Sequence, residues 1–417
     1  MSGEPFQVTG MTNSISTTFE GRRPTLAILV AVSAVNPLAL NISLPSLPLL
    51  VDIFGTTAGM VQMSLSLYLA AVAVAQIGIG PLSDRYGRRP VLLWGLAIFV
   101  VGSVICAVAP SIEVLLTGRM LQATGGCAGI VLGRAIVRDL YDRSQAASMI
   151  GYVTMGLAVA PMIGPAIGGV VDQSFGWRSS SYLMVVLGLL VLVAAWFDLH
   201  ETNHNRVSGG GVAGLVRSYG ALSRSGLFWA YALTSAFTSA VFFGFLGGAP
   251  FVAADLLGMS PAVYGLYFIL VAGGYVFGNW ISGRYSGSIG MVRMIGAGNV
   301  VLVLAVSIIA FLFALGLVHP LSLFGPMFVV GVGNGMCLPN AIAGAVSVRP
   351  DLAGAASGLT GSLQIGAGAI ASALAGWFLS GILWPGTIWP LVLVMATACV
   401  LSVIASIASR LLEAEQY

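Results

Sequence analysis

Long apolar runs broken by short polar clusters dominate the chain. They predict twelve helices, near 25–48, 60–81, 91–109, 112–135, 146–170, 180–198, 228–252, 262–282, 292–316, 321–344, 354–380 and 387–409. Each run approaches or exceeds the roughly 20 residues that a bilayer-spanning helix needs. Clusters of Pro, Gly, Ser and Asp separate most of them. The runs are continuously apolar and do not alternate, which argues against an outer-membrane barrel. The pattern predicts an all-α polytopic membrane protein with 12 spans in two pseudo-symmetric six-helix halves. An even number of spans puts both termini on one side.

The connections suggest five segments. Residues 1–23 are polar and lack the short apolar core and cleavage site of a signal peptide, so they read as a cytosolic tail. The first half is 24–198. A polar, Gly-rich stretch at 199–227, containing Ser208-Gly209-Gly210-Gly211, reads as a flexible cytosolic linker. The second half is 228–409, followed by a cytosolic tail at 410–417. A short echo links the halves: Ser83-x-Arg85-Tyr86 after span 2 recurs as Ser282-x-Arg284-Tyr285 after span 8. Its equivalent place in each half points to duplication.

Composition removes whole classes. Of 417 residues, 58% are hydrophobic and 7% are charged. Soluble domains carry about 25% charged residues, so neither a soluble nor a disordered chain fits. Every basic side chain is Arg, and their positions orient the spans. With both termini inside, the cytosolic segments and the cytosolic helix ends hold all of them except Arg178, which faces outside, and Arg119, which lies within span 4. That asymmetry follows the positive-inside rule. The net charge of +3 is spread over loops and suggests no nucleic-acid partner. Cys106, Cys127, Cys337 and Cys399 lie inside apolar runs and read as small core residues. His200, His204 and His319 fall in loops without cysteine spacing, so no metal site and no cofactor is expected. Neither a phosphate-binding Gly-rich loop nor an intramembrane nucleophile with a base is present. A membrane enzyme or an ATP-driven pump is therefore not expected.

Small residues recur every fourth position in three spans: Gly125, Gly129 and Gly133; Gly156, Ala160, Gly164 and Gly168; Gly354, Gly358, Ser362 and Gly366. Such stripes let helices approach closely. Helix packing suffices as a reading for spans 4 and 11. Span 5 also carries Pro161 and Pro165, each of which removes a backbone hydrogen bond and bends the helix. A bent, smooth helix suits a sliding surface between halves.

Several motifs then resemble one family. Gly80-Pro81-Leu82-Ser83-Asp84-Arg85-Tyr86-Gly87-Arg88-Arg89, in the predicted turn between spans 2 and 3, resembles the loop signature of the major facilitator superfamily. Residues Gly156 to Gly169 resemble the span 5 signature of its antiporters, and Leu115 to Gly125 resemble its span 4 signature. Leu44-Pro45-Ser46-Leu47-Pro48, Arg134-Ala135-Ile136-Val137-Arg138-Asp139, Gly176-Trp177-Arg178 and the stretch from Ala353 to Gln364 resemble its Bcr/CflA branch of drug exporters. The resemblance covers essentially the whole chain. It implies a drug:proton antiporter of the bacterial inner membrane that works by alternating access on a small-molecule substrate, with the lipid bilayer and protons as its other partners and a monomer as the working unit.

Within that expectation, Gly80, Asp84, Arg85, Gly87, Arg88, Arg89 and Asp139 are candidates for a charge latch, with the N-terminal end of span 11 as a second partner for Asp84. The alternative is a solvated turn obeying the charge bias. Gly156, Pro161, Gly164, Pro165, Gly168 and Gly169 form the span 5 motif. Asn36, Asn41, Tyr68, Glu113, Arg119, Gln122, Phe237, Tyr267, Asn334, Asn340 and Gln364 are candidates for a substrate or proton cavity. For each, helix packing or an interhelical hydrogen bond competes with ligand binding. Arg119 lies about seven residues into span 4, roughly 10 Å deep. It either snorkels and serves structure or lines the cavity, since a lipid-facing Arg at that depth is costly. Asn41 departs from the branch, which commonly carries Asp there. An amide accepts and donates hydrogen bonds but cannot titrate. Glu113, Asp52 and Asp255 are expected near the outer surface, and Asp172 in an outer loop. Three alternatives follow: proton loading at Glu113, a titrating group on the substrate, or facilitation without coupling. A narrow-specificity metabolite transporter, with Arg119 binding a carboxylate, is the competing function. Trp377, Trp384 and Trp389 read as interface anchors.

Overall fold

The computed structural model describes residues 24–140, 149, 153, 160, 163–203, 217, 219–349, 352–379 and 386–414. The described chain is helical: α1 (Leu26–Ile42), α2 (Leu47–Phe54), α3 (Ala58–Tyr86), α4 (Arg88–Ala107), α5 (Ile112–Leu140), α6 (163–175), α7 (Arg178–Asp198), α8 (Gly226–Phe251), α9 (Pro261–Ile289), α10 (Met291–Ala314), α11 (Pro320–Ser347), α12 (Ala353–Trp377) and α13 (Trp389–Ala414). Among the described residues, eleven spans are long and apolar enough to cross a membrane, counting Leu26–Phe54 as one. The described part of the expected fifth span is α6. Gly156 and Pro161 lie outside the described residues, as do the tail 1–23 and nearly all of the linker's Gly-rich centre.

Local chemistry explains the boundaries. Thr57, Ser225 and Ser260 cap α3, α8 and α9 by accepting a hydrogen bond from the backbone N–H three residues on. His319 caps α11 through Nδ1. Span 1 runs longer than expected. It continues through one tight turn at Leu44–Ser46 into α2, ending at Phe54 before Gly55 in the left-handed conformation. Pro45 and Pro48 break the hydrogen-bond ladder and produce the bend.

The motif expected as a loop between spans 2 and 3 is mostly helix. α3 continues through Pro81 to Tyr86, and the whole reversal is one residue, Gly87, at φ 104. Only glycine takes that conformation cheaply. Gly290, at φ 92, makes the matching reversal between α9 and α10. Arg85 lies over Tyr86 and Arg284 over Tyr285 in the same way, which extends the sequence echo into geometry.

Thr25 at the start of α1 bonds Asp198 at the end of α7, and Tyr231 near the start of α8 bonds Glu413 near the end of α13. These contacts lie at the end of the bundle that also carries Arg88 and Arg89, the Arg-rich end. The opposite, far end holds Gly55, Trp177 and Gly258. In the first half, α5 packs on α1, α3 and α4; in the second, α11 packs on α9 and α10, and α8 on α12 and α13. The halves join mainly through α3 against α12.

Candidate functional site

Small residues set how the helices approach. On α5, a Cβ added at Gly129 would overlap the Val32 carbonyl oxygen, and one at Gly133 the Ser33 hydroxyl, so these two seat α1, whereas one at Gly125 would overlap the Gly95 carbonyl oxygen of α4. On α6, Gly164 faces Asn41 and Gly168 faces the Ile42 carbonyl, so one face also seats α1. Its other face meets the second half: Gly169 abuts Pro261, and Gly265 of α9 abuts Pro165. The span 5 motif is thus a two-sided seam.

The expected α12 stripe is corrected. A side chain at Gly366 would meet nothing within 4 Å. The close contacts fall instead at Gly361 against Gln76, Gly368 against Phe243 and Gly376 against Gln62. Beside Gly376 lies a polar cluster that bridges the halves. Gln62 Nε2 donates to Ser372 Oγ at 2.6 Å and to the Ser372 carbonyl at 3.4 Å, and Ser66 Oγ donates to Ser372 Oγ at 3.3 Å. Gln62 lies one turn into α3, so the halves are pinned at the far end. These three residues were not candidates from the sequence. Ser and Gln in a span carry no mark of which neighbour they will meet.

At the Arg-rich end, Arg88 is the centre of the charge cluster. It pairs with Asp84 at 2.5 Å and Asp139 at 3.1 Å. Its Nη1 also donates to Ser83 Oγ at 2.5 Å. Arg89 donates to the Leu199 and Trp196 carbonyls and lies over the Trp196 ring. A missed residue organises the turn. Glu201 Oε1 accepts from the backbone N–H groups of Arg88, Thr202 and Asn203. The Glu201 carboxylate also lies directly over Gly87, so a Cβ there would overlap it. The ion pair of Asp84 is made within its own half, to Arg88. Among the described residues, no hydrogen bond or ion pair links it to the start of α12. Arg85 is exposed; Gly80 has open space where a side chain would sit, and its carbonyl accepts from Ser83 Oγ at 2.7 Å, so it joins the cluster through its backbone.

The candidate cavity residues separate into two groups. Asn36, Tyr68, Arg119 and Gln122 come together, all buried, between α1, α3, α4 and α5. Asn36 Nδ2 donates to the Ala123 carbonyl at 3.1 Å, and Tyr68 Oη donates to the Asn36 carbonyl at 3.1 Å. Arg119 lies over the Tyr68 ring at 4.3 Å. Its Nη1 donates to the Ala39 carbonyl and to Gln122 Oε1, both at 2.8 Å. Gln122 passes the chain on to Ser103. Arg119 therefore neither snorkels nor faces lipid.

Arg119 and Gln122 line a cavity of about 30 Å³ with Ser43, Ser46, Trp177 and Ser180. The bend at Leu44–Ser46 brings Ser46 onto its wall, a role that the sequence did not reveal. Asn41 is buried, but its Nδ2 donates to the Pro37 carbonyl one turn back, and its Oδ1 has no partner.

The remaining candidates do not join this group. Glu113 is exposed in the first turn of α5, outside the cavity, because its helix face points away from the bundle. Asp172, expected in a loop, is instead helical in α6 and buried at 4% exposure. Its Oδ1 accepts from Ser180 and Ser179. Asn340 ties α11 to Ser282 of α9 at 2.8 Å. Tyr267 packs on Phe324, within an aromatic cluster of the second half. Asn334 is buried with neither amide atom bonded. Phe237 and Gln364 are half-buried.

The comparisons match this architecture. The family model of the Major Facilitator Superfamily matches residues 29–372. The chain belongs to that superfamily. A chloramphenicol resistance protein of Pseudomonas aeruginosa is 32% identical over 392 residues, covering 93% of this chain and 90% of the relative. Multidrug resistance protein D of Escherichia coli (strain K12) is 31% identical, with 83% and 87% covered. A bacterial homolog of the human lysosomal transporter Spinster, solved inward-facing and occupied, superimposes with TM-score 0.69 at 15% identity over 93% of this chain and 96% of that one. A member of this superfamily is a transporter and not an enzyme, and these relatives agree with the exporter branch that the motifs resemble.

Proposed function

We propose that this superfamily member exports small, partly apolar compounds across the bacterial inner membrane by alternating access, with proton antiport as its energy source. In this reading the Arg-rich end and both termini face the cytosol, and the working unit is a monomer. The observation that carries it is the join between the halves. It combines a glycine seam at α6 and α9 with the packing of α3 on α12, whose hydrogen bonds are a small polar cluster at Gln62, Ser66 and Ser372. Both can part without unpacking either half, as rocking about a mid-membrane site requires. The full-length relatives named for drug resistance support the direction and the substrate class.

Proton coupling then needs a titrating group other than position 41. Glu113 is exposed, so we assign loading to Asp172, the one buried carboxylate among the described residues, which reaches the Arg119 cavity wall through Ser180. Asn41 and the absence of a carboxylate partner on Arg119 favour one second reading: a narrow metabolite transporter or facilitator with weak or no coupling.

The test is growth of a pump-deficient bacterium across unrelated antibiotics with wild type, Asp84→Asn, Asp172→Asn and Asn41→Asp. Drug export predicts protection by wild type against several compounds, lost in Asp84→Asn at normal expression. Coupling through Asp172 predicts loss in Asp172→Asn as well. If wild type protects against nothing and Asn41→Asp gains protection, the second reading replaces the first.

A further inference from the structure

Arg119 is a full positive charge that is 6% exposed. A buried cation is stable only when paired or well hydrogen-bonded. A guanidinium offers five N–H donors. Arg119 uses Nη1 on two neutral oxygens, leaves Nε without a partner, and makes no protein hydrogen bond from Nη2 among the described residues. Among the described residues, no carboxylate pairs with it. The Tyr68 ring face compensates only part of the charge.

The cavity beside it supplies what is missing. Its volume of about 30 Å³ exceeds the roughly 10–15 Å³ that one water needs. Ser46, on the wall, is 2% exposed and its hydroxyl has no partner. Ser43 and Ser64 add further hydroxyls, while the Ser180 proton is already given to Asp172 Oδ1, and Leu47 and Trp177 supply apolar surface. No carboxylate lines the space. A lone cation with free donors, several hydroxyl donors and dry walls matches a small anion.

We propose that this cavity is a binding site for one small monovalent anion, chloride or a carboxylate headgroup, which serves as the counter-ion of Arg119. The site exists whether the exported compounds are drugs or metabolites, so it does not depend on the function proposed above. An occupied site adds stability by mass action, because the unfolded chain has no such pocket.

The experiment uses the full-length protein in nanodiscs of zwitterionic lipid. Tm is followed by tryptophan fluorescence while sodium chloride or sodium formate replaces sodium gluconate at constant ionic strength. The expected result is a saturable rise in Tm with at least one of the two small anions. Saturation by chloride alone marks a resident inorganic ion, and saturation by formate marks a carboxylate subsite; both support the anion site. Ser46→Asp puts a built-in counter-ion on the wall, and Arg119→Gln removes the charge, so each is expected to abolish the response. Should those variants fail to fold, equilibrium binding of radiolabelled chloride and formate to wild type decides alone. Coincident curves in all three salts, or no saturable binding of either label, overturn the proposal and leave a water-filled cavity. A response that persists in both variants also overturns it, because the anion then binds elsewhere.

Discussion

Ser372→Ala should release the far end of the transporter. In the closed arrangement the Ser372 hydroxyl accepts from Gln62 Nε2 at 2.6 Å and from Ser66 at 3.3 Å. An intramolecular hydrogen bond is worth about 1 kcal/mol net, and an abandoned buried donor costs about 1–3 kcal/mol. Gln62 would keep only its long 3.4 Å bond to the Ser372 carbonyl, while Ser66 retains the Gln62 carbonyl. Water satisfies both groups once the halves part, so the loss falls on the closed state alone. A shift of about 2 kcal/mol follows, or roughly 30-fold in the closed-to-open ratio at 1.4 kcal/mol per decade. Alanine fits the space and favours a helix, so the fold itself should tolerate the change. Spin labels at Thr56 and Val318, one in each half at the far end, report the distance distribution. The expected outcome is a larger long-distance population in Ser372→Ala. An unchanged distribution, with wild type also sampling both distances, would refute the view that this cluster pins the halves.

Two other perturbations test the remaining contacts. Gly168→Val forces a branched side chain into the Ile42 carbonyl; transport should be lost while membrane insertion persists, measured by drug accumulation and by surface-normalised expression. Glu201→Ala removes the acceptor of three backbone N–H groups around the Gly87 turn; a cost of about 2 kcal/mol or more is expected for charge-assisted bonds. It should appear as faster protease nicking near residues 199–203 in wild-type lipid.

The spans were legible because insertion reads length and hydropathy, and those are properties of sequence alone. The reversal at Gly87 was legible as a turn, but its extent was not. Pro81 and the polar residues after it suggested a loop, yet α3 holds together through Tyr86 because its carbonyls find partners and the Glu201 carboxylate anchors the turn from 113 residues away. The glycine stripes of α5 and, at Gly164 and Gly168, of α6 do seat neighbouring helices, since small residues at a four-residue period leave a groove on one side. The stripe of α12 was misplaced by one face. Glu113 went the same way: it sits in the first turn of α5 but faces away from the cavity.

Sequence by itself determined the membrane environment, the number and approximate limits of the spans, the charge asymmetry and the family motifs. Tertiary structure alone decided which side of each helix meets which neighbour. It made Gln62 and Ser372 a clasp, buried Asp172, and left Arg119 facing a small cavity without a carboxylate. The physical reason is the solvent. In water, polar and apolar faces reveal a helix's orientation, but lipid and protein interior are both apolar. Periodicity therefore fades in a membrane helix. Depth remains readable from the residues, whereas direction emerges only when helices pack.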